Sequence, residues 1–332
     1  MPEQIHILLT GGTGFFGKAL LRHLVEWEHW GHDVPRVTLL SRRPDQFANQ
    51  YPALVQRPWL RMHRGDMSET STLPCDKTFT HVLHAAADST LGPQLTPLQR
   101  YDQIVRGTRN MLDVAVTCGA KRFLLASSGA VYGVQPPQFD QIPVDWHGAP
   151  DPLNPANAYG IGKRAAEHLC TLYGQAYGLE TIIARCFAFV GPDLPLDVHF
   201  AIGNFIRDAL WRDRITVAGN GTPLRSYLAQ QDLAHWLLKL LNHGQSGQAY
   251  NVGSDQAICI ADLAFLVRDI VAPGKQVQIL GGGEDSGERS VYIPSIQKAK
   301  DDLGLSVRIS LEDAIRTTAA AAKAKADSGK SA

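Results

Sequence analysis

Neither sign of charge predominates in this chain. Its 32 Lys and Arg face 32 Asp and Glu over 332 residues, giving a formal net charge of zero and a pI near 7.2. Without a broad basic field nothing holds a nucleic-acid backbone, so no nucleic-acid partner is expected. Long apolar runs are also missing. The longest early one, residues 5–9, falls far short of the ~18 residues a membrane span needs. It lacks the basic flank and cleavage site of a signal peptide, so no membrane partner is expected. Cysteine is sparse and unpatterned: Cys75, Cys118, Cys170, Cys186 and Cys259 form no CxxC pair. They read as reduced thiols of a cytoplasmic protein, neither a disulfide frame nor a zinc site. His23, His29 and His32 have no acidic or cysteine partner at ligand spacing, and no metal is expected.

What the chain does have is apolar mass, 44% of its residues, enough for about two domains. Short β-branched or Leu-rich runs fall at residues 5–9, 37–40, 60–63, 81–84, 122–126 and 181–185. Between them lie helical patterns at 18–28, 106–118 and 165–177. This alternation implies βαβ units and a parallel, doubly wound sheet. Residues 134–155 form a Pro-rich stretch too long for a mere connector, and a functional rim is expected there. After Arg185 the rhythm loosens, and a late strand-like run at 249–252 implies a second domain that threads in and out of the first. The division expected is a dinucleotide-binding domain over 1–187 with a return segment at about 226–256, and a second domain over 188–225 and 257–318. From Ala319 the sequence AAAAKAKADSGKSA reads as a fraying helix end running into a disordered tail over 319–332.

The first strand runs into Thr10-Gly11-Gly12-Thr13-Gly14-Phe15-Phe16-Gly17 and then a helix. Gly11 permits a tight turn, Gly14 lets backbone approach a pyrophosphate, and Gly17 lets the helix pack on the strand. The helix N-terminus adds N–H groups and about half a positive charge for phosphates. An acidic residue after the second strand would hold the ribose of NAD. Here Ser41-Arg42-Arg43 stands instead, and guanidinium groups suit a 2′-phosphate, so NADP is favoured with NAD possible. Asp66, followed by Met67, serves either the adenine amino group or its own loop.

Tyr159-Gly160-Ile161-Gly162-Lys163 puts a phenol and an ammonium on one helix face. A phenol of pKa ~10 is a poor base at neutral pH. Lowering it by ~3 units takes ~4 kcal/mol of selective phenolate stabilisation, which Lys163 and an oxidised nicotinamide can supply together. Upstream, Ser127-Ser128-Gly129-Ala130-Val131-Tyr132-Gly133 puts a hydroxyl at a strand's carboxyl end, where open α/β sheets bind ligands.

With TGGTGFFG, His84-Ala85-Ala86-Ala87, SSGAVYG, YGIGK, GNGTPLRSYLAQQDLA and YNVG all present, the chain resembles the extended short-chain dehydrogenase/reductase family. The resemblance covers roughly residues 4–318, in the branch of nucleotide-sugar epimerases, dehydratases and reductases. It implies a Rossmann doubly wound parallel sheet with a smaller α+β substrate-binding C-terminal domain. Ser128 would polarise the substrate oxygen and Tyr159 act as acid/base. Lys163 would depress the Tyr pKa and hold ribose. The dinucleotide would also touch Phe15, Phe16, Ala85 and Ala86. Arg225 falls where the family binds the diphosphate of a nucleotide sugar, with Arg289 and Asn204 as weaker substrate candidates. A homodimer would form through the helix bearing Ala165, Ala166, Leu169, Cys170 and Tyr173.

Four departures narrow the chemistry the resemblance implies. Dehydratases carry a Glu base just after the catalytic hydroxyl, where this chain has Gly129 and Ala130. Ile104 replaces an Asn of the fourth helix, Ala188 the Asn of R-x-x-N, and Ser226 the Asp of V-R-D. The expectation is reduction of a 4-keto-6-deoxyhexose nucleotide with NADPH. An NAD-dependent 4-epimerase is the alternative, and an inactive dinucleotide-binding regulator is the alternative of another class.

Overall fold

The structure is a computed structural model that describes residues 4–74, 79–86, 95–281 and 290–329. Cys75, Ala87 and Arg289 lie outside the described residues. The first half runs β1 (His6–Thr10), α1 (Phe15–His29), β2 (Arg36–Ser41), the short helices α2 (Pro44–Gln50) and α3 (Pro52–Val55), and β3 (Leu60–Arg64). Then come β4 (His81–His84), α4 (Pro97–Thr117), β5 (Arg122–Ser128), α5 (Ala158–Tyr177) and β6 (Glu180–Cys186). Next follow β7 (Phe189–Val190), α6 (Ala201–Trp211), β8 (Arg214–Val217), β9 (Leu224–Arg225), β10 (Leu228–Ala229), α7 (Gln230–His243) and β11 (Gln248–Val252). Last are β12 (Ile258–Cys259), α8 (Ile260–Val271), β13 (Gln276–Ile279), β14 (Val291–Tyr292), α9 (Gln297–Leu303) and α10 (Leu311–Gly329).

Among the described residues a seven-stranded parallel sheet has the order β11-β6-β5-β4-β1-β2-β3. Alternate residues of its strands enter opposite layers. Ile7, Leu9, Val37, Leu39 and Leu83 join one apolar cluster, whereas Leu8, Leu40, Val82, Phe123 and Leu125 join the other. Both faces are therefore covered, as a parallel sheet requires. The strand order reverses between β4 and β2 about β1, which opens a crevice at the carboxyl ends. A third apolar cluster, built on α6, α8 and α10 around Ile206, Val217, Val267 and Ile315, forms the core of the smaller unit. β11 returns to the large sheet beside β6 after that unit has begun, which is the threading that the late strand-like run implied.

Two local features differ from the sequence patterns. α4 starts nine residues before 106, because Thr96 and Gln99 form a reciprocal capping box with Pro97 in the first turn. α10 runs through Gly329 across much of the stretch that reads as a tail. Alanine is the best helix former, and Ala319 is buried in the third cluster. On α5, Ala166, Cys170 and Tyr173 pack among α4 residues and the Tyr173 hydroxyl bonds Asp113, while Ala165 and Leu169 are half-buried.

One buried polar knot ties the sheet to α5. Glu167 accepts from Ser127 Oγ at 2.5 Å and from Arg185 Nη2 at 2.8 Å. Arg185 Nη1 reaches the Tyr132 hydroxyl and the Val144 carbonyl, both at 2.9 Å, and Tyr132 donates to Asn251 at 2.7 Å. The Glu167 carboxylate pushes the Arg185 guanidinium further towards its charged form against the effect of burial. Removing one member of such a pair leaves an uncompensated buried charge. Glu167→Ala should therefore cost about 3–5 kcal/mol in guanidinium unfolding; a loss under about 1 kcal/mol would show the knot to be dispensable.

Candidate active site

Two backbones meet where β1 and β4 end. Gly11 has φ +71°, and a Cβ there would lie 2.6 Å from the Ala85 carbonyl oxygen. Only glycine fits both the left-handed turn and that approach. A Cβ at Gly17 would lie 2.0 Å from Gly12 Cα, so the first turn of α1 rests directly on the loop. Gly14 caps α1 with no side-chain hydrogen bond and no acidic residue follows in the first turn. That leaves its amide end suited to an anion. Phe15 and Phe16 turn their rings towards Phe189, so what they offer a dinucleotide is backbone. Behind them Gln230 Nε2 donates to the Phe15 carbonyl at 2.8 Å and to Asp193 at 3.1 Å, and Asp193 pairs with Arg22 and, at 3.4 Å, Lys18. Those cations hold the Asp193 carboxyl below its ordinary pKa despite burial. Sequence reading had no signal for this brace.

The register Thr10↔Leu40 sets Ser41 and Arg42 beside the glycine loop. Ser41 Oγ accepts from the Arg43 amide at 3.2 Å, and Arg42 and Arg43 are exposed past the end of β2. Asp66 caps its own loop, accepting from the Ser68 amide at 2.8 Å, while the Met67 carbonyl accepts from Asn110 at 2.8 Å. The amides of Ala85 and Ala86 donate to Thr10, at 3.3 Å and 3.2 Å. These residues follow the carboxyl ends of β1, β2, β3 and β4, at one edge of the crevice.

The reacting groups converge from β5 and α5. Ser128 ends β5 and caps the following turn, its Oγ accepting from the Ala130 amide at 3.2 Å. The Ser128 hydroxyl acts on the Tyr159 phenol, drawing its pKa down. Lys163, one helical turn on, is buried and donates to the Ala126 carbonyl at 2.7 Å, with Nζ 6.0 Å from the Tyr159 ring centre. Burial pulls the Lys163 ammonium down to about 8, opposed by negative neighbours that include Glu167. It is therefore still largely cationic at neutral pH. Ile104, in place of the family's Asn, packs against Gly162 and brings no polar atom to this face.

Burial raises Tyr159 above its ordinary value, and the groups drawing it down are Ser128 and Arg100. Tyr159 is consequently a protonated acid at neutral pH. Arg100, near the start of α4, was not singled out in the sequence; nothing in its local pattern marks it.

The substrate candidates are not all brought together. Arg225 on β9 pairs in register with Tyr292 on β14, and its guanidinium donates to the Leu224 carbonyl at 2.7 Å and the Ser290 carbonyl at 3.1 Å. Asn204 on α6 accepts from Arg207 at 3.0 Å, and none of its described bonds reaches Ser128, Tyr159 or Lys163. Ser226, where the family has Asp, is buried with its hydroxyl unpartnered.

His84 sits beneath the site, bonded to Thr10 at 2.7 Å and Thr108 at 3.2 Å. Burial, helped by Lys163, drives it down to about 3, and His23 is driven by burial to about 4. Below pH ~6.5 the unfolded chain binds protons on both rings that the folded chain refuses. Stability should therefore fall as pH drops from 7 to 5. His84→Gln removes one of these titrations, so guanidinium unfolding at pH 5, 6 and 7 should show a slope shallower by close to one proton. An unchanged slope would mean that His84 charges in the folded state.

Residues 7–253 match the NAD dependent epimerase/dehydratase family. The chain is 30% identical over 314 residues to UDP-glucuronic acid decarboxylase 4 of Arabidopsis thaliana, covering 94% of this chain and 67% of that one. It is 26% identical to RMD from Pseudomonas aeruginosa, solved in complex with NADPH, at a TM-score of 0.74 over 97% of this chain and 100% of that one. UDP-glucuronic acid 4-epimerase from Bacillus cereus, solved in complex with NAD, shares the fold at 22% identity and a TM-score of 0.79, over 97% and 99% of the two chains.

Proposed function

The chain belongs to the NAD dependent epimerase/dehydratase family, and on that premise we propose that it uses NADPH to reduce a 4-keto-6-deoxyhexose carried on a nucleotide diphosphate. The end of β2 carries this reading: a serine and two exposed arginines stand beside the glycine loop where an NAD site needs a carboxylate. A 2′-phosphate bound there favours NADPH, and NADPH favours net reduction. The likeness to RMD, itself solved with NADPH, supports the same choice. Gly129 and Ala130 carry no group able to remove a ring proton, which argues against dehydration.

When bound, NADPH supplies the hydride for the sugar's keto carbon. Ser128 Oγ polarises the keto oxygen by a hydrogen bond. Tyr159 gives its proton to that oxygen as the carbon is reduced, a role that its raised pKa suits. Lys163, fixed by Ala126, keeps a positive charge beside the tyrosinate left behind and is placed to hold ribose. Arg225 is the candidate clamp for the diphosphate, since its fork matches two phosphate oxygens.

The test is a panel of dTDP-, GDP-, CDP- and UDP-linked 4-keto-6-deoxy sugars, with UDP-glucuronic acid added because the Arabidopsis relative is named for it. NADPH absorbance should fall in proportion to product. Arg42→Ala should erase most of the preference for NADPH over NADH, roughly 10- to 100-fold in affinity. Tyr159→Phe should lower turnover by ~10²–10⁴ with unchanged folding. Interconversion of sugar isomers at constant NADPH would replace the reductase with an epimerase.

A further inference from the structure

The first turn of α1 is gripped from behind by a single amide side chain. Gln230 opens α7 directly after β10, and β10 lies parallel to β7 with Ala229 opposite Val190. The next residues along, Gln230 and Gly191, are therefore brought face to face, and a Cβ on Gly191 would collide with Gln230 Cβ. Asp193, two residues further on, completes the meeting. Its amide donates to Gln230 Oε1 at 3.1 Å, and its carboxylate accepts from Gln230 Nε2 at 3.1 Å. The other Nε2 proton goes to the carbonyl of Phe15, the first residue of α1, at 2.8 Å. Gln230 and Asp193 are both buried.

Only an amide satisfies this position. The two protons of Nε2 meet two acceptors, a carbonyl and a carboxylate, while Oε1 meets an N–H. A glutamate would set acceptor against acceptor, and an apolar side chain would break all three bonds. Asp193 is itself held. Arg22 and, at 3.4 Å, Lys18 of α1 reach its carboxylate, with Lys325 of α10 at 3.6 Å. Lys325 also donates to the Pro192 carbonyl at 2.7 Å. Three cations around one carboxylate leave the group net positive, which suits an anion at the nearby helix end.

The bond to Phe15 acts on the amide that follows it. A peptide unit is planar, so the Phe15 carbonyl and the Phe16 N–H move as one body and point opposite ways. That N–H is one of the first-turn donors with no intrahelical acceptor. It lies at the end that Gly14 caps without a side-chain hydrogen bond. A carbonyl has two lone pairs, so Phe15 serves both the helix ladder and Gln230. We propose that Gln230, held by Asp193, is a positioning residue for the dinucleotide: by fixing the Phe15–Phe16 peptide it aims the Phe16 N–H at the pyrophosphate. Through Asp193 and Lys325 the same grip ties the glycine loop to α10 of the smaller unit.

This inference rests on the glycine loop taking a dinucleotide, whether NADPH or NADH, and the test separates the positioning role from that reading. Gln230→Met fills the space without a donor. Gln230→Asn, whose amide is one methylene short of Phe15, serves if the first variant does not fold. Binding of NADPH and of NADH is titrated by nicotinamide fluorescence, and amide hydrogen exchange is followed on the ligand-free protein. Kd should rise about three- to tenfold for both dinucleotides, because both carry the pyrophosphate. Exchange should quicken across the first two turns of α1, whose ladder starts at the Phe15 carbonyl, and stay as it was in β5 and α5. Unchanged Kd for both, a loss confined to NADPH, or faster exchange through β5 and α5 as well would overturn the proposal. Wild-type protein that binds neither dinucleotide would overturn the reading of the glycine loop itself, and the positioning role with it.

Discussion

The site depends on one buried contact, the hydrogen bond from the Lys163 ammonium to the Ala126 carbonyl at 2.7 Å. A charge that deep is costly unless it is met by oxygen atoms and nearby carboxylate. Ala126 supplies the first, and Glu167, on the next turn of α5, the second. The bond joins α5 to β5 two residues before Ser128. In doing so it fixes the distance between the helix that carries Tyr159 and the strand end that carries Ser128. The Glu167–Arg185–Tyr132 knot repeats the linkage a turn further on and extends it to β6 and β11. Catalytic geometry here is a by-product of satisfying buried polar groups, which is why the same residues serve stability and chemistry.

Desolvation then sets the direction of proton flow. Burial raises Tyr159, lowers Lys163 to about 8 and keeps His84 neutral by driving it to about 3. At neutral pH the face therefore holds an uncharged acid beside a cation, an arrangement suited to giving a proton to a carbonyl oxygen as hydride arrives. The dinucleotide edge is governed by space more than by charge. Gly11 and Gly17 are fixed by backbone atoms of Ala85 and Gly12, whereas Arg42 and Arg43 stand exposed.

The sheet was legible because its strands are apolar on both faces, and an uninterrupted run such as Leu39-Leu40 needs no partner to be recognised. The glycine loop and the Tyr159–Lys163 pair were legible because each depends on local spacing. α4 was read short because its start is written in a capping box, Thr96-Pro97 to Gln99, and not in apolar periodicity. The brace through Asp193 and Gln230, the knot at Glu167 and the approach of Tyr292 to Gly129 join residues far apart in sequence. No periodicity encodes such meetings. Gly129 was visible as an absence of base, but the reason for its being glycine, the tip of Tyr292, belongs to the packed structure alone.

The central claim, net reduction by a dinucleotide held at the β2 edge, is tested most directly by the fate of the hydride. NADPH carrying deuterium at the transferable C4 position should yield a sugar one mass unit heavier, with one deuterium gained for each NADPH oxidised. Sugar product that carries no deuterium, or sugar isomers that equilibrate while NADPH stays reduced, would contradict the account.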